Sequence, residues 1–591
     1  MSLGDGHGLC SASVEVAGDY QGEAPVPGLE RAFLRQIGSP EVVTVTQTSW
    51  NYAVVWEAVA DAQPGSVAQV QGERRLTWAE MDHRADGIGR WLLGRGVGHQ
   101  DKVALYLYNC PEYLEALFGA LKVAAVPVNT NYRYADDELV YLWDNADAVA
   151  VVFHGDFGAR IERVRARLPK VRAWLWVDDG TGPCPKWASR YEDAAKSAAG
   201  RVHPPWGRSA DDLIMLYTGG TTGMPKGVMW RQDDLFARTN ESGFRRYDES
   251  KGVAGVVSTL EERGPGMSLL PACPLMHGTG GFTAMECLNE GGTVVLLEGR
   301  HFDPVELFDT VERERVNGIV IVGDPFARPM LAALDAHPGR WDLSSLLGIL
   351  SSGAMWSEEV KEGLLRHRPE MLLLDFFSST EAVGLGTSMS SGASASKTAE
   401  FALGPDVKVL DGEGRPIQPG SEEIGMLALA GRNPVGYYKD EAKTASTFPV
   451  IDGVRYSVPG DYAQVRADGS LHILGRGSSS INTAGEKVFP EEVEEALKTH
   501  PSVRDAAVVG VPDPDFGEMV VAIVETASDE PPVVDELIAH VKSLLASFKA
   551  PRRVWVVPTL GRSPSGKLDY GRLAEEAAAL ASDGPDLPDR A

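Results

Sequence analysis

Hydrophobic positions follow two patterns along most of the chain: helical stretches that are apolar on one face, and short runs that are apolar throughout. The runs that predict strands lie at 103–108, 148–153, 173–177, 213–217, 293–297, 318–322 and 347–350. Short apolar runs separated by helices are typical of parallel strands that are buried on both faces of a sheet. The pattern therefore predicts a layered α/β fold.

Local signals mark the limits of several elements. Thr77, with Glu80 three residues later, predicts a capping box at the start of an amphipathic helix. Residues 1–28 are rich in glycine and small residues without any period, which predicts a flexible tail. Glycine, serine and charged residues at 249–266 and 390–397 predict surface loops.

A second unit with its own pattern of strands and helices begins at residue 476. Pro490 and the acids after it predict a helix on which Glu494 pairs with Lys498 at i+4. Two further strands and a second helix are predicted at 506–511, 520–525 and 534–547. We therefore predict a large N-terminal domain over 29–475, itself subdivided, and a small α+β C-terminal domain over 476–591.

The charge balance excludes one class of partner. The chain has 591 residues, with 56 lysines and arginines against 83 aspartates and glutamates, and a formal net charge of −27. A field of this sign repels polyanions over most of the surface, so no nucleic-acid partner is predicted. A phosphate ligand is still allowed where backbone N–H groups and a few cations surround it.

Cysteine usage and hydropathy predict the compartment. The five cysteines are scattered and form no CxxC pair, so neither a disulfide framework nor a zinc site is indicated. No uncharged apolar stretch reaches the ~18 residues that a membrane span needs, and no signal peptide opens the chain. We therefore predict a cytoplasmic protein without stable membrane insertion.

The strongest chemical signal is a glycine- and threonine-rich loop that follows a predicted strand. Its glycines let backbone N–H groups approach an anion, and its threonines add hydroxyl donors. The loop residues are Thr218, Gly219, Gly220, Thr221, Thr222, Gly223 and Lys226. The loop is not a Walker A motif, because Pro225 precedes the lysine and Gly227 follows it. The sequence therefore predicts a polyphosphate ligand but disfavours a P-loop ATPase.

This loop is the first of a series of segments that resemble the adenylate-forming superfamily, which includes acyl-CoA synthetases, firefly-luciferase-like enzymes and peptide-synthetase adenylation domains. The other segments lie, in the family's order, at 274–277, 351–354, 376–381, 456–462, 485–491 and 562–567. The resemblance covers about residues 48–570. It implies ATP, Mg²⁺ and coenzyme A as cofactors, a small-molecule carboxylic acid as substrate, and a small C-terminal domain that rotates between two half-reactions.

The resemblance assigns the nucleotide to residues of several segments. Those implied in binding adenine, ribose or phosphates are Ser352, Gly353, Ala354, Asp375, Phe376, Phe377, Ser378, Ser379, Asp461, Ile473 and Arg476. Thr380 is expected to donate to the α-phosphate, and Glu381 is expected to hold Mg²⁺. Ser378 departs from the family pattern, which usually has glycine there, and so adds bulk next to the nucleotide.

Other segments are implied in binding the acid and the thiol. Lys567 resembles the lysine that bridges the substrate carboxylate and the α-phosphate, and His277 resembles the histidine beside the acyl pocket. Residues expected to contact the acid are Trp230, Met276, Phe282, Phe326 and Met355. The loop that lines the pantetheine tunnel after domain rotation is matched by Gly485, Glu486 and Lys487.

The reaction implied is formation of an acyl-adenylate and then of a CoA thioester. It needs no protein nucleophile, so Cys273 and Cys287 are interpreted as packing residues. Segments 227–231, 351–356 and 485–490 look most like actinobacterial fatty-acyl and steroid-side-chain CoA ligases. The resemblance therefore favours a bulky acid, terpenoid, steroid-like or fatty.

Two alternatives remain open at this point. Relatives commonly carry Asp or Lys at the pivot of the small domain, where this chain has Ser478 followed by two more serines. With Ser378, this departure allows an enzyme that performs only the thioester step on a preformed acyl-adenylate. The other alternative is a non-catalytic protein that binds nucleotide or acyl-CoA. The sequence fixes neither the acid nor the oligomeric state, and it allows a homodimer.

Overall fold

The computed structural model describes residues 49–218, 224–392, 395–477, 480–483, 486–513, 517–528, 531–563 and 566–582. For Arg476, Glu486, Lys487 and Ser582 the description covers the backbone alone. The predicted tail at 1–28 and the pivot Ser478 lie outside the described residues.

Strands and helices alternate over much of the described chain, as the hydrophobic pattern predicts. The strands are β1 (Val67–Gln71), β2 (Arg74–Thr77), β3 (Lys102–Tyr106), β4 (Val126–Asn129), β5 (Ala148–His154), β6 (Ala173–Val177), β7 (Ser189–Arg190), β8 (Leu213–Thr218), β9 (Lys226–Arg231), β10 (Ser268–Pro271), β11 (Thr293–Leu296), β12 (Gly318–Ile321), β13 (Gly348–Ser352), β14 (Leu372–Ser379), β15 (Ala382–Ser390), β16 (Glu400–Leu403), β17 (Val407–Leu410), β18 (Gly425–Leu429), β19 (Gly436–Tyr437), β20 (Val450–Ile451), β21 (Val454–Arg455), β22 (Asp461–Val465), β23 (Leu471–Arg476), β24 (Ile481–Thr483), β25 (Glu486–Val488), β26 (Val503–Asp513), β27 (Gly517–Thr526) and β28 (Arg553–Val557). The α-helices are α1 (Tyr52–Ala62), α2 (Trp78–Gly94), α3 (Pro111–Lys122), α4 (Asp136–Asn145), α5 (Gly158–Val164), α6 (Tyr191–Ala195), α7 (Gln232–Ser242), α8 (Gly252–Arg263), α9 (Gly278–Asn289), α10 (Pro304–Glu314), α11 (Asp324–Ala336), α12 (Glu358–His367), α13 (Glu441–Thr447), α14 (Pro490–Lys498), α15 (Val534–Leu544) and α16 (Tyr570–Ser582).

Eight strands form one sheet of the large domain, in the order β19-β9-β8-β4-β3-β5-β6-β7. Neighbours from β8 to β7 pair in parallel. Parallel neighbours need crossover connections, which here are largely helical. Every residue of β5 is buried, as expected for a strand that is covered on both faces.

Thirteen strands form the second sheet of the large domain, in the order β17-β18-β22-β23-β16-β15-β14-β13-β12-β10-β11-β1-β2. The strands β1, β11, β10, β12, β13 and β14 are joined by parallel pairs. Their carboxyl ends therefore lie at one edge of the sheet, which is where ligands bind in open α/β sheets. The loops that follow β10, β12, β13 and β14 meet at this edge.

The small domain is built on a separate five-stranded sheet, in which β25, β24, β27 and β26 are neighbours and β28 pairs with β27. Alternate residues of β26 enter two hydrophobic clusters: Ala506 and Val508 pack with α14 and α15, whereas Ala507 and Val509 pack with α16. Since successive strand residues point to opposite faces, the sheet has helices on both sides. The strands predicted at 506–511 and 520–525 are found, each longer than expected.

Several local predictions are confirmed. Thr77 Oγ1 accepts the Glu80 N–H at 3.2 Å, and the Thr77 N–H donates to Glu80 Oε2 at 2.8 Å, so the capping box is present. The four cysteines of the described chain are free, and Cys273 and Cys287 are buried. None of the described helices is long and apolar enough to cross a membrane.

Two local predictions are wrong. The surface loop expected at 249–266 contains helix α8, which buries Val256 and Leu260 at helical spacing; its glycines hid this period. Lys498 contacts Glu495 rather than its expected partner Glu494. The Glu494 carboxyl instead accepts the Val508 N–H at 2.9 Å.

Candidate active site

The large and small domains together line one cleft of about 1960 Å³. Sequence-predicted residues of the large domain that line it are Thr218, Met276, His277, Phe282, Phe326, Ser352, Gly353, Ala354, Met355, Asp375, Phe376, Phe377, Ser378, Ser379, Thr380, Glu381, Asp461 and Ile473. Lys567 lines the cleft from the small domain. The cleft therefore gathers most of the predicted site residues from distant parts of the chain.

Asn129, at the end of β4, joins the loops of the two large sheets. Its side-chain amide donates to the carbonyls of Tyr217 at 3.0 Å and Met276 at 2.7 Å, and its oxygen accepts the Tyr217 N–H at 2.6 Å. Because Asn129 is buried, these hydrogen bonds hold the start of the glycine- and threonine-rich loop beside His277. No motif marks Asn129, since its role depends on how the two sheets meet.

Glu381 and Thr380 lie at the turn between β14 and β15. The Tyr437 hydroxyl donates to Glu381 Oε1 at 2.8 Å, and the Ser457 hydroxyl donates to the Glu381 carbonyl at 2.6 Å. The Trp230 indole N–H donates to the Thr380 carbonyl at 2.9 Å. Three separate segments thus fix this turn and hold the Glu381 carboxylate in the cleft wall.

Ser378 is accommodated by a hydrogen bond in the same hairpin. The pairing of β14 with β15 is irregular between Phe377 and Ser379. At this irregularity Ser378 Oγ accepts the Gly384 N–H at 3.0 Å. The serine therefore closes the hairpin with its own hydroxyl while it lines the cleft.

Asp461 and Arg476, the two residues expected at the ribose, lie directly opposite each other on β22 and β23. Asp461 is 5% exposed and lines the cleft, and so does Ile473 on β23. Gly460, just before Asp461, has a φ of +99°, a conformation that glycine adopts without strain. The antiparallel register of these two strands sets the position of Asp461.

A buried ion pair supports the segment expected to contact adenine. Lys361 Nζ on α12 lies 3.4 Å from Asp375 Oδ2 on β14, and both side chains are buried. Burial raises the pKa of Asp375 to about 6, and the charge of Lys361 acts against this rise. The pair ties α12 to the strand that carries Phe376 and Phe377.

Lys567 lies in a loop that is held by local hydrogen bonds. The Ser563 N–H donates to the Lys567 carbonyl at 2.8 Å, and the Lys567 N–H donates to Ser563 Oγ at 3.1 Å. Arg562 donates to the Gly566 carbonyl at 2.8 Å and to both carboxylate oxygens of Asp505 at 2.5 and 2.8 Å. Since Asp505 belongs to β26, the loop is anchored to the sheet of the small domain.

Gly566 lets this loop approach the large domain closely. A Cβ at Gly566 would lie 3.0 Å from two side-chain carbons of Pro325 and 3.4 Å from the Val322 carbonyl oxygen. Its φ of +74° also favours glycine. The next residue, Lys567, is thereby placed near enough to His277 for its charge to act on the imidazole.

His277 is neutral at physiological pH. Burial and then the positive charge of Lys567 lower its pKa to about 3. A neutral imidazole does not repel the Lys567 ammonium, and it retains one N–H donor. His277 also occupies the N-cap position of α9, where its carbonyl accepts the Gly281 N–H at 2.8 Å, so its backbone is fixed by the helix.

The apolar part of the cleft contains four of the five residues expected to contact the acid: Met276, Phe282, Phe326 and Met355. Trp230 departs from the prediction. Its side chain is fully buried and does not belong to the cleft wall, and its indole supports the Thr380 carbonyl instead. The sequence places Trp230 near the site correctly but cannot tell which side of β9 faces the ligand.

Other predicted residues fall elsewhere or outside the described chain. Lys226 pairs with Thr218 across β8 and β9, but its ammonium contacts Asp440 Oδ2 at 2.5 Å and does not line the cleft. Glu486 and Lys487 lie on β25, where only their backbone is described. Predicted site residues outside the described chain are Gly219, Gly220, Thr221, Thr222, Gly223 and Gly485.

The chain belongs to the AMP-binding enzyme family. The model of that family matches residues 56–438, and the model of the AMP-binding enzyme C-terminal domain matches residues 492–567. These two matches lie in the large and small domains described above. The predicted α/β architecture and the resemblance drawn from the motifs are thereby confirmed.

Relatives of known activity match nearly the whole chain. A medium/long-chain-fatty-acid–CoA/3-oxocholest-4-en-26-oate–CoA ligase of Mycolicibacterium smegmatis is 41% identical over 532 residues, which is 88% of this chain and 95% of the relative. A 3-oxocholest-4-en-26-oate–CoA ligase of Rhodococcus rhodochrous is 40% identical over 90% of this chain and 96% of its own length. A solved structure of the anthranilate CoA ligase AuaEII with anthranoyl-AMP shares the fold, with a TM-score of 0.76 and 21% identity over 91% of this chain and 99% of its own.

Proposed function

We propose that the protein is an AMP-forming acid–CoA ligase that converts a bulky carboxylic acid to its CoA thioester through an acyl-adenylate. The acid is terpenoid, steroid-like or fatty. Support comes from the family of the chain, from the site geometry, and from relatives named as fatty-acid and 3-oxocholest-4-en-26-oate CoA ligases.

One observation carries the proposal: Lys567 of the small domain lies in the same cleft as Thr218, Thr380, Glu381 and Asp461 of the large domain. This arrangement offers a carboxylate for ribose hydroxyls, hydroxyl donors for phosphates, and a cation between nucleotide and acid. The cation reaches the cleft from a separate domain, so domain movement can add or remove it.

The Glu381 carboxylate is suited to bind Mg²⁺. Its Oε1 accepts the Tyr437 hydroxyl, whereas Oε2 receives no hydrogen bond from the described residues. Protein-bound Mg²⁺ usually takes one or two carboxylates together with substrate phosphates and water. The described residues hold no group of three or more His, Cys, Asp or Glu side chains that would bind a metal without the nucleotide. When bound, the ion would neutralise part of the phosphate charge.

In the first half-reaction, an oxygen of the acid's carboxylate attacks the α-phosphorus of ATP. The bond from that phosphorus to the bridging oxygen breaks, and pyrophosphate leaves. Because two anions must meet, the barrier is mainly electrostatic. Lys567 supplies positive charge between them, and the Thr380 hydroxyl donates to the α-phosphate. His277, neutral beside the acid, orients the carboxylate without competing with Lys567 for its charge.

In the second half-reaction, the thiol of CoA attacks the acyl carbonyl carbon. The bond from this carbon to the AMP oxygen breaks, AMP leaves, and the thiol proton passes to solvent. Rotation of the small domain would take Lys567 out of the cleft and bring Gly485, Glu486 and Lys487 toward the pantetheine arm. This step needs no charge between two anions, so Lys567 is dispensable for it.

Acid-dependent exchange of labelled pyrophosphate into ATP tests the proposal, followed by AMP release when CoA is added. We expect both with at least one fatty or steroid-side-chain acid. Absence of exchange, with thioester still formed from supplied acyl-adenylate, would identify the enzyme of the second step alone. If AMP is released neither from ATP and the free acid nor from the supplied acyl-adenylate, the protein is a non-catalytic binding protein.

A cytoplasmic location and a homodimer remain predictions. The first is supported by the cysteine usage of the sequence, and the second is only allowed by it. Size-exclusion chromatography with light scattering measures the molar mass, for which one chain is 63.6 kDa.

A further inference from the structure

One face of helix α9 runs along the wall of the cleft. Four residues of this face line the cleft, at successive intervals of three, one and three residues, which is the spacing of one helix face: Thr279, Phe282, Thr283 and Glu286. At a rise of 1.5 Å per residue, Glu286 lies about 13 Å along the helix from His277. Glu286 is therefore far from the position where the acid's carboxylate reacts.

The Glu286 carboxyl has no partner within the described protein. Its Oε1 is shielded from solvent, and no described residue forms a hydrogen bond with it. Buried polar atoms nearly always have a partner, because leaving one unpaired is costly. The same shielding puts Oε1 out of a ligand's reach. Glu286 nevertheless lines the cleft, and Oε2 is neither shielded nor hydrogen-bonded to any described residue, so Oε2 is the atom that a polar group of the ligand can meet.

The neighbouring carboxyl of Glu290 influences the protonation of Glu286. Glu290 accepts the backbone N–H of Arg245 at 2.8 Å, whereas Glu286 accepts none. The Arg245 guanidinium donates to the carbonyls of Gly264 and Pro265 and forms an ion pair with neither acid, although its charge acts to lower the pKa of Glu290. Burial and the charge of Glu290 raise the pKa of Glu286 well above its ordinary value. Both causes favour the protonated form of Glu286, which can donate a hydrogen bond.

We infer that the Glu286 carboxyl donates a hydrogen bond to an oxygen at the end of the substrate remote from its carboxylate. The substrate class is then a carboxylic acid that carries a distal ketone or hydroxyl. The inference rests on the proposed function and specifies its substrate. Phe282 and Phe244 also line the cleft, so Glu286 is a donor close to apolar side chains.

A buried donor favours substrates that carry a distal oxygen, because a substrate without one leaves the donor unpaired. An acid with an apolar end would bury the Glu286 carboxyl against hydrocarbon and remove the water that can serve it in the empty cleft. A distal oxygen restores the hydrogen bond. Sites built to bind a substrate oxygen discriminate strongly against analogues that lack it.

The test compares kcat/KM for 3-oxocholest-4-en-26-oate, for cholest-4-en-26-oate, which lacks the ketone, and for hexadecanoate. We expect the parent protein to prefer the ketone by about 10-fold over the deoxygenated steroid acid. Glu286→Leu should remove this preference. Glu286→Gln should retain it, because the amide N–H replaces the carboxyl O–H. Glu290→Gln, which changes the other carboxyl of the pair, should also retain it.

Equal kcat/KM for the two steroid acids in the parent protein would overturn the inference, whether or not any variant folds. So would a Glu286→Leu protein that keeps the parent's preference. AMP release with hexadecanoate and no preference for the ketone would contradict the role of Glu286 but leave the proposed ligase intact. No AMP release with any of the acids would overturn both.

Discussion

Burial determines the protonation of individual residues in the site. His277 is kept neutral, and Asp375 has its pKa raised to about 6, in both cases chiefly because burial disfavours the charged form. In our proposal, Lys567 supplies the cation that faces the reacting groups. The Lys567 ammonium therefore has a neutral imidazole, and not a second cation, at the position of His277.

The first prediction concerns the acid sensitivity of folding. The pKa of His277 falls from 6.5 to about 3 on folding, so the unfolded chain binds a proton between these values that the folded protein does not. The stability that depends on neutral His277 is complete above pH 6.5 and is lost as the pH falls toward 3, by about 2 kcal/mol at pH 5. Between pH 7.5 and 5, the melting temperature of the His277→Gln protein should fall less than that of the parent protein. An equal change in both proteins would contradict the assigned pKa.

The second prediction concerns Ser378. Because its hydroxyl accepts the Gly384 N–H, Ser378→Gly should lower the free energy of unfolding by about 1–2 kcal/mol, through the lost bond and the added backbone freedom. Pyrophosphate exchange should stay within about 2-fold, since glycine is the family's usual residue at this position and the Ser378 hydroxyl is engaged by the Gly384 N–H. Ser378→Ala separates the two causes, because it removes only the hydroxyl. A large loss of exchange in the glycine variant would show that the serine acts on the nucleotide.

Sequence reasoning identified the residues to which we assign chemistry, but it did not identify those whose role depends on contacts between distant segments. Glu381, Asp461 and Lys567 stand in motifs of fixed spacing, so they could be found without a structure. Asn129 and Glu286 stand in no motif. Their roles arise from contacts between segments that are distant in the chain, and no local pattern reports such contacts.

At the scale of elements, a buried lysine ties three helices of the large domain together. Lys122 on α3 is fully buried, and its ammonium lies 2.8 Å from Glu57 on α1 and 2.7 Å from both Asp82 and Asp86 on α2. Arg208 also pairs with Glu57, and Arg201 also pairs with Asp82, whereas Lys122 is the only cation of the described residues in ion-pair contact with Asp86. The cluster fixes the packing of these helices beside the eight-stranded sheet.

The third prediction follows from this cluster. Lys122→Met should lower the free energy of unfolding by about 3–5 kcal/mol, because it leaves the buried Asp86 carboxylate without its cation and removes the positive charge between Glu57 and Asp82. Lys170→Met is a matched control, since Lys170 also contacts two acids but is 43% exposed; it should cost at most about 1 kcal/mol. Chemical denaturation measures both. A Lys122 variant as stable as the control would contradict the structural role.

Elements were predictable where the apolar period was clean. The strand at 173–177 is found with the predicted bounds, because every residue in it is apolar and buried. Helix α8 was missed, because glycines at its start and charges at its end resemble a loop. Its helical character depends on packing of Val256 and Leu260, which local composition does not reveal.

At the scale of the whole molecule, the two domains meet where the Lys567 loop contacts the large domain. The pKa of Lys498 on α14 is raised. Burial acts to lower it, but the negative charges of nearby acids, which include Asp324 of the large domain, have the larger effect. Gly566 lies against Pro325 close by. Charge and close packing therefore both favour the arrangement in which Lys567 reaches the cleft.

The fourth prediction tests this contact. Gly566→Ala should displace the Lys567 loop, because the new Cβ would crowd Pro325 and strain a φ of +74°. Pyrophosphate exchange should fall roughly 100-fold, as expected when a catalytic group is misplaced by about 1 Å. Gly469→Ala has similar backbone strain, with φ +84° and open space around the Cβ, and should leave exchange unchanged. Parent-like exchange in Gly566→Ala would show that the contact does not position Lys567.

The most direct test of the account separates the two half-reactions of a Lys567→Ala protein. Acid-dependent pyrophosphate exchange should fall about 100-fold or more, because the positive charge between carboxylate and α-phosphate is lost. Thioester formation from supplied acyl-adenylate and CoA should match the parent, and Lys542→Ala, an exposed lysine of the same domain, should change neither rate. Exchange at the parent rate in Lys567→Ala would contradict the central claim that the two domains close on one nucleotide to activate the acid.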